Sequence, residues 1–312
     1  GDGVVIAARR VRMSYDLPAI LKRRSAPAAA IREVYVDGLE VDLIRYSDGQ
    51  INLQQLLPPP EVPAPVEDQF QGQIWIADAR IHFTDHSSQF GQMPLHLELR
   101  DLCGHADMRR VGLIRADLSA TGDDNYFSTL KAEAVADVVD GSLSLDFDLD
   151  DLDLAWLQRR LLTASGVSVS SGTAQVQGSV YRTPTEQTSA TGYSVKAHLA
   201  PTMMTVDGVP DGPVQLDGDL IVTPQGVSTH ALRVGWDGQS LMVAGAVVNF
   251  SQPTLDLEVQ AAMVDVTRLV HMLPAISDIA AHVPGACIDW VVEENFAEVP
   301  SWHPAVNEVI PV

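Results

Sequence analysis

What this chain of 312 residues has little of narrows the possibilities first. It holds two cysteines, Cys103 and Cys287, far apart in sequence. That excludes a disulfide scaffold and a CxxC metal or redox motif; the two either pair or stay free. Lysine occurs only at Lys22, Lys131 and Lys196, and the formal net charge is −21. A nucleic-acid partner needs clustered Lys and Arg, so none is expected. The same balance argues against docking on an anionic lipid surface through this segment. The one dense basic run, Lys22-Arg23-Arg24, reads as a solvated helix end. Aromatic residues are 6% of a chain that is 46% hydrophobic, so Val, Leu, Ile and Ala must build the core. No stretch of about 18 apolar residues exists to cross a bilayer as a helix, and no signal peptide pattern is present. The sequence opens at Gly-Asp-Gly and enters a strand-like pattern within a few residues. We expect a segment of something longer, with its targeting element upstream.

What is present is period two. Val34 and Val36, then Leu39, Val41 and Leu43, alternate with residues such as Glu40 and Asp42. Leu143, Leu145, Phe147 and Leu149 alternate with Ser144, Asp146, Asp148 and Asp150; Leu255, Leu257 and Val259 repeat the pattern. Such runs are strands with one apolar and one wetted face. Turn signals are Asp37-Gly38, Asp48-Gly49, Asp140-Gly141, Asp207-Gly208, Asp217-Gly218 and Asp237-Gly238. Their spacing suits antiparallel meanders.

Three stretches leave this period. Asp16, Asp153 and Asp265 each follow a strand and precede apolar residues at helical spacing, so each is expected to cap a short helix. The chain also matches itself. A slide of 112 residues lays Leu143 on Leu255 and Asp153 on Asp265; a slide of 40 lays "VYVDGLEVDLIR" on "IWIADARIHFTD". The expectation is a mostly β protein, an elongated, curled antiparallel sheet of repeated strand–short-helix units. Its expected parts are an N-terminal strand-helix-hairpin unit (1–57), a Pro-rich linker (58–69), a first β-repeat unit (70–181), a polar loop (182–192), a second β-repeat unit (193–275) and an irregular tail (276–312).

Candidate chemistry is sparse. His82, Asp85 and His86 offer ligand-type side chains, but no partner cluster completes a metal site; we read a polar strand end. Asp146, Asp148 and Asp150 resemble the start of a calcium loop, yet Asp151 stands where glycine is needed and Leu157 where glutamate is. His96, His198 and His230 sit singly in strand patterns. No GxSxG, Walker, GxGxxG or HExxH motif is present, and nothing singles out a glycosidase carboxylate pair. The expectation is a protein that is not an enzyme, with no metal and no cofactor.

The order of these features resembles the AsmA-like superfamily, which includes the translocation and assembly module protein TamB. The resemblance rests on "YDLPAIL" (15–21), "IREVYVDGLEVDLIRYSDGQINLQQLL" (31–57), "IWIADARIHFTD" (74–85, like the family's following hairpin) and the strand-helix closures at 143–157 and 255–269. It covers roughly residues 5–275. It implies a curled sheet with an apolar concave side, in the periplasm of a diderm bacterium, anchored in the inner membrane through a segment missing from this chain. The implied cargo is phospholipid acyl chains carried between membranes, with an outer-membrane barrel assembly protein as a possible partner. The implied groove lining is Val34, Val36, Val41, Leu43, Ile74, Ile76, Ile81, Phe83, Leu143, Leu145, Phe147, Leu149, Leu255, Leu257 and Val259. Asp48 and Gly49 would form a structural turn, with Gly49→Val harming folding and Asn52→Ala leaving lipid binding largely intact. The alternatives are a secreted β-sandwich or β-solenoid adhesin and a carbohydrate-active β protein.

Overall fold

The computed structural model describes residues 5–22, 27–53, 70–87, 94–123, 126–161, 166–184, 189–207, 212–236, 238–249, 254–261 and 287–292. These residues are mostly β: among them fifteen strands form open, curled, largely antiparallel sheet, with few and short helices. Two compact units divide the chain, Gly1–Leu152 with Gln177–Tyr193 and Asp153–Val176 with Ser194–Val312.

In the first unit, β1 (Ile6–Tyr15), β2 (Ile31–Arg45), β3 (Gln73–Asp85), β4 (Leu95–Asp107), β5 (Leu113–Gly122), β6 (Thr129–Asp137) and β7 (Ser142–Asp153) are hydrogen-bonded in chain order. Helix α1 (Leu17–Lys22) follows β1, with Pro18 in its first turn, where a missing N–H costs little. One pairing departs from a meander. β2 and β3 run parallel, Val34 facing Ile74 and Leu43 facing Phe83. The 40-residue self-match is therefore the register itself. Stretch 74–85, expected as a hairpin, is instead part of one strand. A parallel partner needs a long crossover, and the Pro-rich stretch between β2 and β3 supplies the length; its own residues lie outside those described.

Asp37-Gly38 is not a turn. It lies inside β2, where Gly38 has φ +64. Asp78 in β3 (φ 52) and Asp101 in β4 (φ 50) are also left-handed. A left-handed residue inverts the alternation, which is why the apolar positions step by three from Val36 to Leu39. β1–β2 and β2–β3 keep their register through this kink, so those strands share it. It disturbs the register between β3 and β4, on either side of Ala79, and again between β4 and β5, where the register shifts between Arg100 and Cys103. Donors satisfy the aspartates: Arg9 reaches Asp78 at 2.8 Å, and the Thr121 hydroxyl donates to Asp101 at 2.9 Å. Below the kink sits the small core of this unit, Ala79, Leu102 and Ala120, packed by Leu39, Ile76, Ile81 and Leu99.

Asp48-Gly49 does turn the chain. The Gly49 N–H donates to the Tyr46 carbonyl (2.9 Å), the Gln50 N–H to Asp48 Oδ1 (3.0 Å), and Gly49 has φ +84. Nothing lies within 4 Å of a Cβ added at Gly49, so Gly49→Val meets dihedral strain without a clash. The turn delivers Asn52, buried at 7% exposure, back onto the edge of β2.

The second unit begins with α2 (Leu154–Leu161), capped as expected: the Trp156 N–H donates to Asp153 Oδ1 at 2.7 Å. Strand β8 (Val167–Ser171) pairs with β10 (Ser189–Val206); β9 (Thr173–Pro184) and β10 contribute residues to both units. Strands β10, β11 (Val214–Thr223), β12 (Gly226–Trp236), β13 (Gln239–Val248) and β14 (Thr254–Ala261) form an antiparallel ladder. Asp217-Gly218, expected as a turn, sits inside β11 beside a register shift. The expected loop at 182–192 is narrower, because β9 runs through Pro184 and β10 starts at Ser189. The expected irregular tail contains β15 (Cys287–Val292), parallel to β14; its β-branched and aromatic content favours a strand despite the missing alternation. The helix expected after Asp265 lies outside the described residues. The 112-residue repeat is visible as hairpins, β6–β7 and β13–β14.

Candidate functional site: an open apolar sheet face

Register decides which side chains share a face. In the first unit, one line of facing residues runs Met13, Val34, Ile74, Ala106, Ala116, Ala134, Leu145. The next runs Val11, Val36, Ile76, Gly104, Leu118, Ala132, Phe147. Beyond the kink, Ile6, Val41, Ile81 and Leu99 continue the face, as do Leu43, Phe83 and Leu97. Leu130 faces Leu149, and Ala136 faces Leu143. Every lining residue expected in this unit therefore lies on one side, and no polar residue interrupts these lines.

This side is not a closed core. Its side chains are mostly half-buried, and Leu143 is 39% exposed. Among the described residues of this unit, strands make extensive contact only with ladder neighbours, and no helix covers the face. Sequence reading missed its relief. The middle strands carry mostly small residues, Gly104, Ala106, Ala116, Ala132 and Ala134, with Leu118 among them, between taller walls on β1–β3 and β7. The walls stand about four interstrand steps apart, roughly 19 Å. The alternate alanines of β5 and β6 were the available signal. An apolar face of this extent, exposed to water, costs free energy unless something apolar covers it.

The second unit repeats the design. Val195, Val222, Val227, Val247 and Leu255 face one another in sequence, and Leu199, Gly218, Leu232, Val243 and Val259 form a second line. Leu257 faces Gly245 between them. The buried Thr229 is satisfied there, its hydroxyl donating to the Asp219 carbonyl at 2.7 Å.

The other face of the first unit is wet. Arg12, Tyr35, Trp75, His105, Asp117, Glu133 and Asp146 form its central line, with Trp75 stacked on His105 at 4.0 Å between ring centroids. Cys103 is free and exposed on this side. Asp148 and Asp150 are used separately, receiving bonds from Gln177 (3.4 Å) and Thr129 (2.6 Å). Of the His82, Asp85, His86 group, Asp85 is fully buried: its carboxylate accepts from the Ser87 N–H (2.7 Å) and faces Arg45 (3.4 Å). Among the described residues, no three His, Cys, Asp or Glu side chains are placed to hold a metal.

These contacts make acid sensitivity predictable. Burial by itself pushes the Asp85 carboxyl up, but Ser87 and Arg45 outweigh it and hold it below the usual range. The Arg9 guanidinium does the same to Asp37, Arg109 to Asp107, and Ser142 to Asp140. Unfolded, each would bind a proton near its ordinary pKa of 3.8. Their stabilisation is thus complete above that value and is lost as pH falls through the lower folded values. The urea midpoint should hold steady from about pH 7 to 5 and fall below about pH 4, less steeply in Asp85→Asn. A midpoint flat to about pH 2 would contradict this assignment.

Fold and face define a class: open apolar-faced β-sheet. Among known proteins, similarity is confined to a short stretch. Over 44 residues, 14% of this chain, it is 61% identical to lipopolysaccharide heptosyltransferase 1 of Pseudomonas aeruginosa, covering 12% of that protein. Over the same length it is 57% identical to the Escherichia coli K12 enzyme of that name and 54% to the Salmonella typhimurium one, covering 14% of each. No family model matches, and no solved structure matches. The expectation that the protein is not an enzyme is corrected here: the curated proteins it resembles are enzymes. Motif reading missed this because it sought nucleophile, metal and phosphate-loop spacings, none of which a 44-residue stretch of a sugar-transfer enzyme must contain.

Proposed function

We propose that the sheet shields lipid acyl chains on its apolar face, as a periplasmic segment of an AsmA-like protein anchored in the inner membrane. The observation that carries this reading is the set of apolar lines crossing β1 to β7 without a polar interruption, on a face left half-open. Moving a 16-carbon chain through water costs roughly 12 kcal/mol at about 0.8 kcal/mol per CH₂. A continuous apolar surface removes most of that cost and needs no polar group to fix the cargo. Phospholipid is the proposed cargo, outer-membrane biogenesis the proposed setting, and an outer-membrane barrel assembly protein the proposed partner. The adhesin alternative requires a second sheet over the apolar face; within the first unit, none of its own described strands lies there.

The test places photo-crosslinkers at Val41, Leu145 and Leu257 in cells. Capture of acyl chains at these positions and not at Asp146 is the expected result. Capture confined to Asp146, or absent at all four, sinks the proposal. The 44-residue similarity favours a second reading, that the chain also carries part of a protein acting on lipopolysaccharide. Binding of purified lipopolysaccharide by the purified chain tests it, and no binding rejects it.

A further inference from the structure

We propose that the free long edge of β1 docks an extended segment of another protein in which apolar and acidic residues alternate. This goes beyond the lipid reading and does not depend on it. Among the described residues β1 pairs only with β2. The Asp42 N–H donates to the Val5 carbonyl; since bonding direction alternates along a strand, Ile6 and Ala8 turn their main-chain groups away from β2. Such an edge is a template for one more strand.

Side chains specify which strand. Ile6, Val11 and Met13 end the apolar lines at the edge and are 48%, 48% and 47% exposed. An added strand with alternate apolar residues would cover them and extend each line. Between them lie Arg9, Arg10 and Arg12, three of the chain's twenty cations, on a ten-residue strand without an acid. Arg9 is committed to Asp37 and Asp78. Arg10 and Arg12 make no ion pair among the described residues; they flank a shallow hollow with Met13, Ser14, Glu33, Tyr35 and Asp37. They would meet the acidic residues of the incoming strand, and like charges facing each other disfavour pairing of β1 with β1 of a second copy.

The probe is a labelled peptide, Ser-Leu-Ser-Leu-Asp-Phe-Asp-Leu-Asp, the sequence of residues 142–150, titrated onto the full chain. Saturable binding is expected, weakened about tenfold or more by Arg10→Glu with Arg12→Glu, one like-charge contact being of the order that a charge pair contributes at an interface. A peptide with lysine for aspartate should prefer that variant. Two N-methylated peptides, blocked at alternate amides, need no variant: one set should bind and the other should not. Equal behaviour of the two sets, indifference to charge reversal, or a stable dimer of the chain that excludes the peptide overturns the proposal.

Discussion

Gly38→Val lowers the stability of the first unit by about 3 kcal/mol, the larger part from holding a β-branched residue in a left-handed conformation. The position has φ +64, and an added Cβ would sit 2.8 Å from Arg9 Cβ and 3.1 Å from its guanidinium. Arg9 cannot move freely, because it bridges Asp37 at 2.7 Å and Asp78 at 2.8 Å. These exposed ion pairs are each worth little; what matters is that they hold the side chain over the kink. Urea unfolding should show the loss in the transition of the first unit. Gly38→Asn should cost about 1 kcal/mol, since asparagine tolerates the left-handed region. In an Arg9→Ala background the valine should cost less, by the part due to the guanidinium contact, which a double-mutant cycle isolates; the contact with the Cβ of residue 9 remains. Equal stability of the valine and asparagine variants would show that the kink does not need its left-handed residue.

That kink also marks the limit of reading from sequence. The one-sided alternation was plain in residues 143–149 and 255–259, because side-chain direction in a strand depends only on parity. The cap at Asp153 and the start of α1 after Asp16 were legible because helix starts are signalled locally. The step from Val36 to Leu39 was visible too, but Asp-Gly is the commonest hairpin signal, and local chemistry cannot tell a turn from a left-handed residue kept inside a strand. Asp78 and Asp101 carried no glycine to flag them. The 40-residue self-match was seen, yet parallel pairing of β2 with β3 depends on a partner outside the local sequence. The site was legible as a list of apolar positions. Its relief was not, since alanines at 106, 116 and 134 become one low strip only once three strands are in register.

Asn52→Ala should be the second large loss, about 2–3 kcal/mol, because buried strand-edge groups are left without partners. β2 is longer than its neighbour on this side, the Asp42 N–H bonding to the Val5 carbonyl just before β1 begins. Past that point Asn52 serves as the partner strand. Its Oδ1 accepts from the Ile44 N–H at 3.0 Å and from the Leu53 N–H at 3.0 Å, and its Nδ2 donates to the Asp42 carbonyl at 2.7 Å. Only an amide offers an acceptor and a donor in that geometry. Asn52→Asp separates the two roles: the carboxylate keeps the acceptor but sets a second oxygen against the Asp42 carbonyl. Its stability should therefore approach that of the parent as pH falls and the carboxyl gains a proton to donate, opposite to the acid trend of the parent chain. Apolar capture at Val41, on the same strand, should weaken in Asn52→Ala only as far as the strand end frays. An Asn52→Ala chain with unchanged urea midpoint would mean that water replaces the amide at no cost, and that the edge of β2 needs no closing residue.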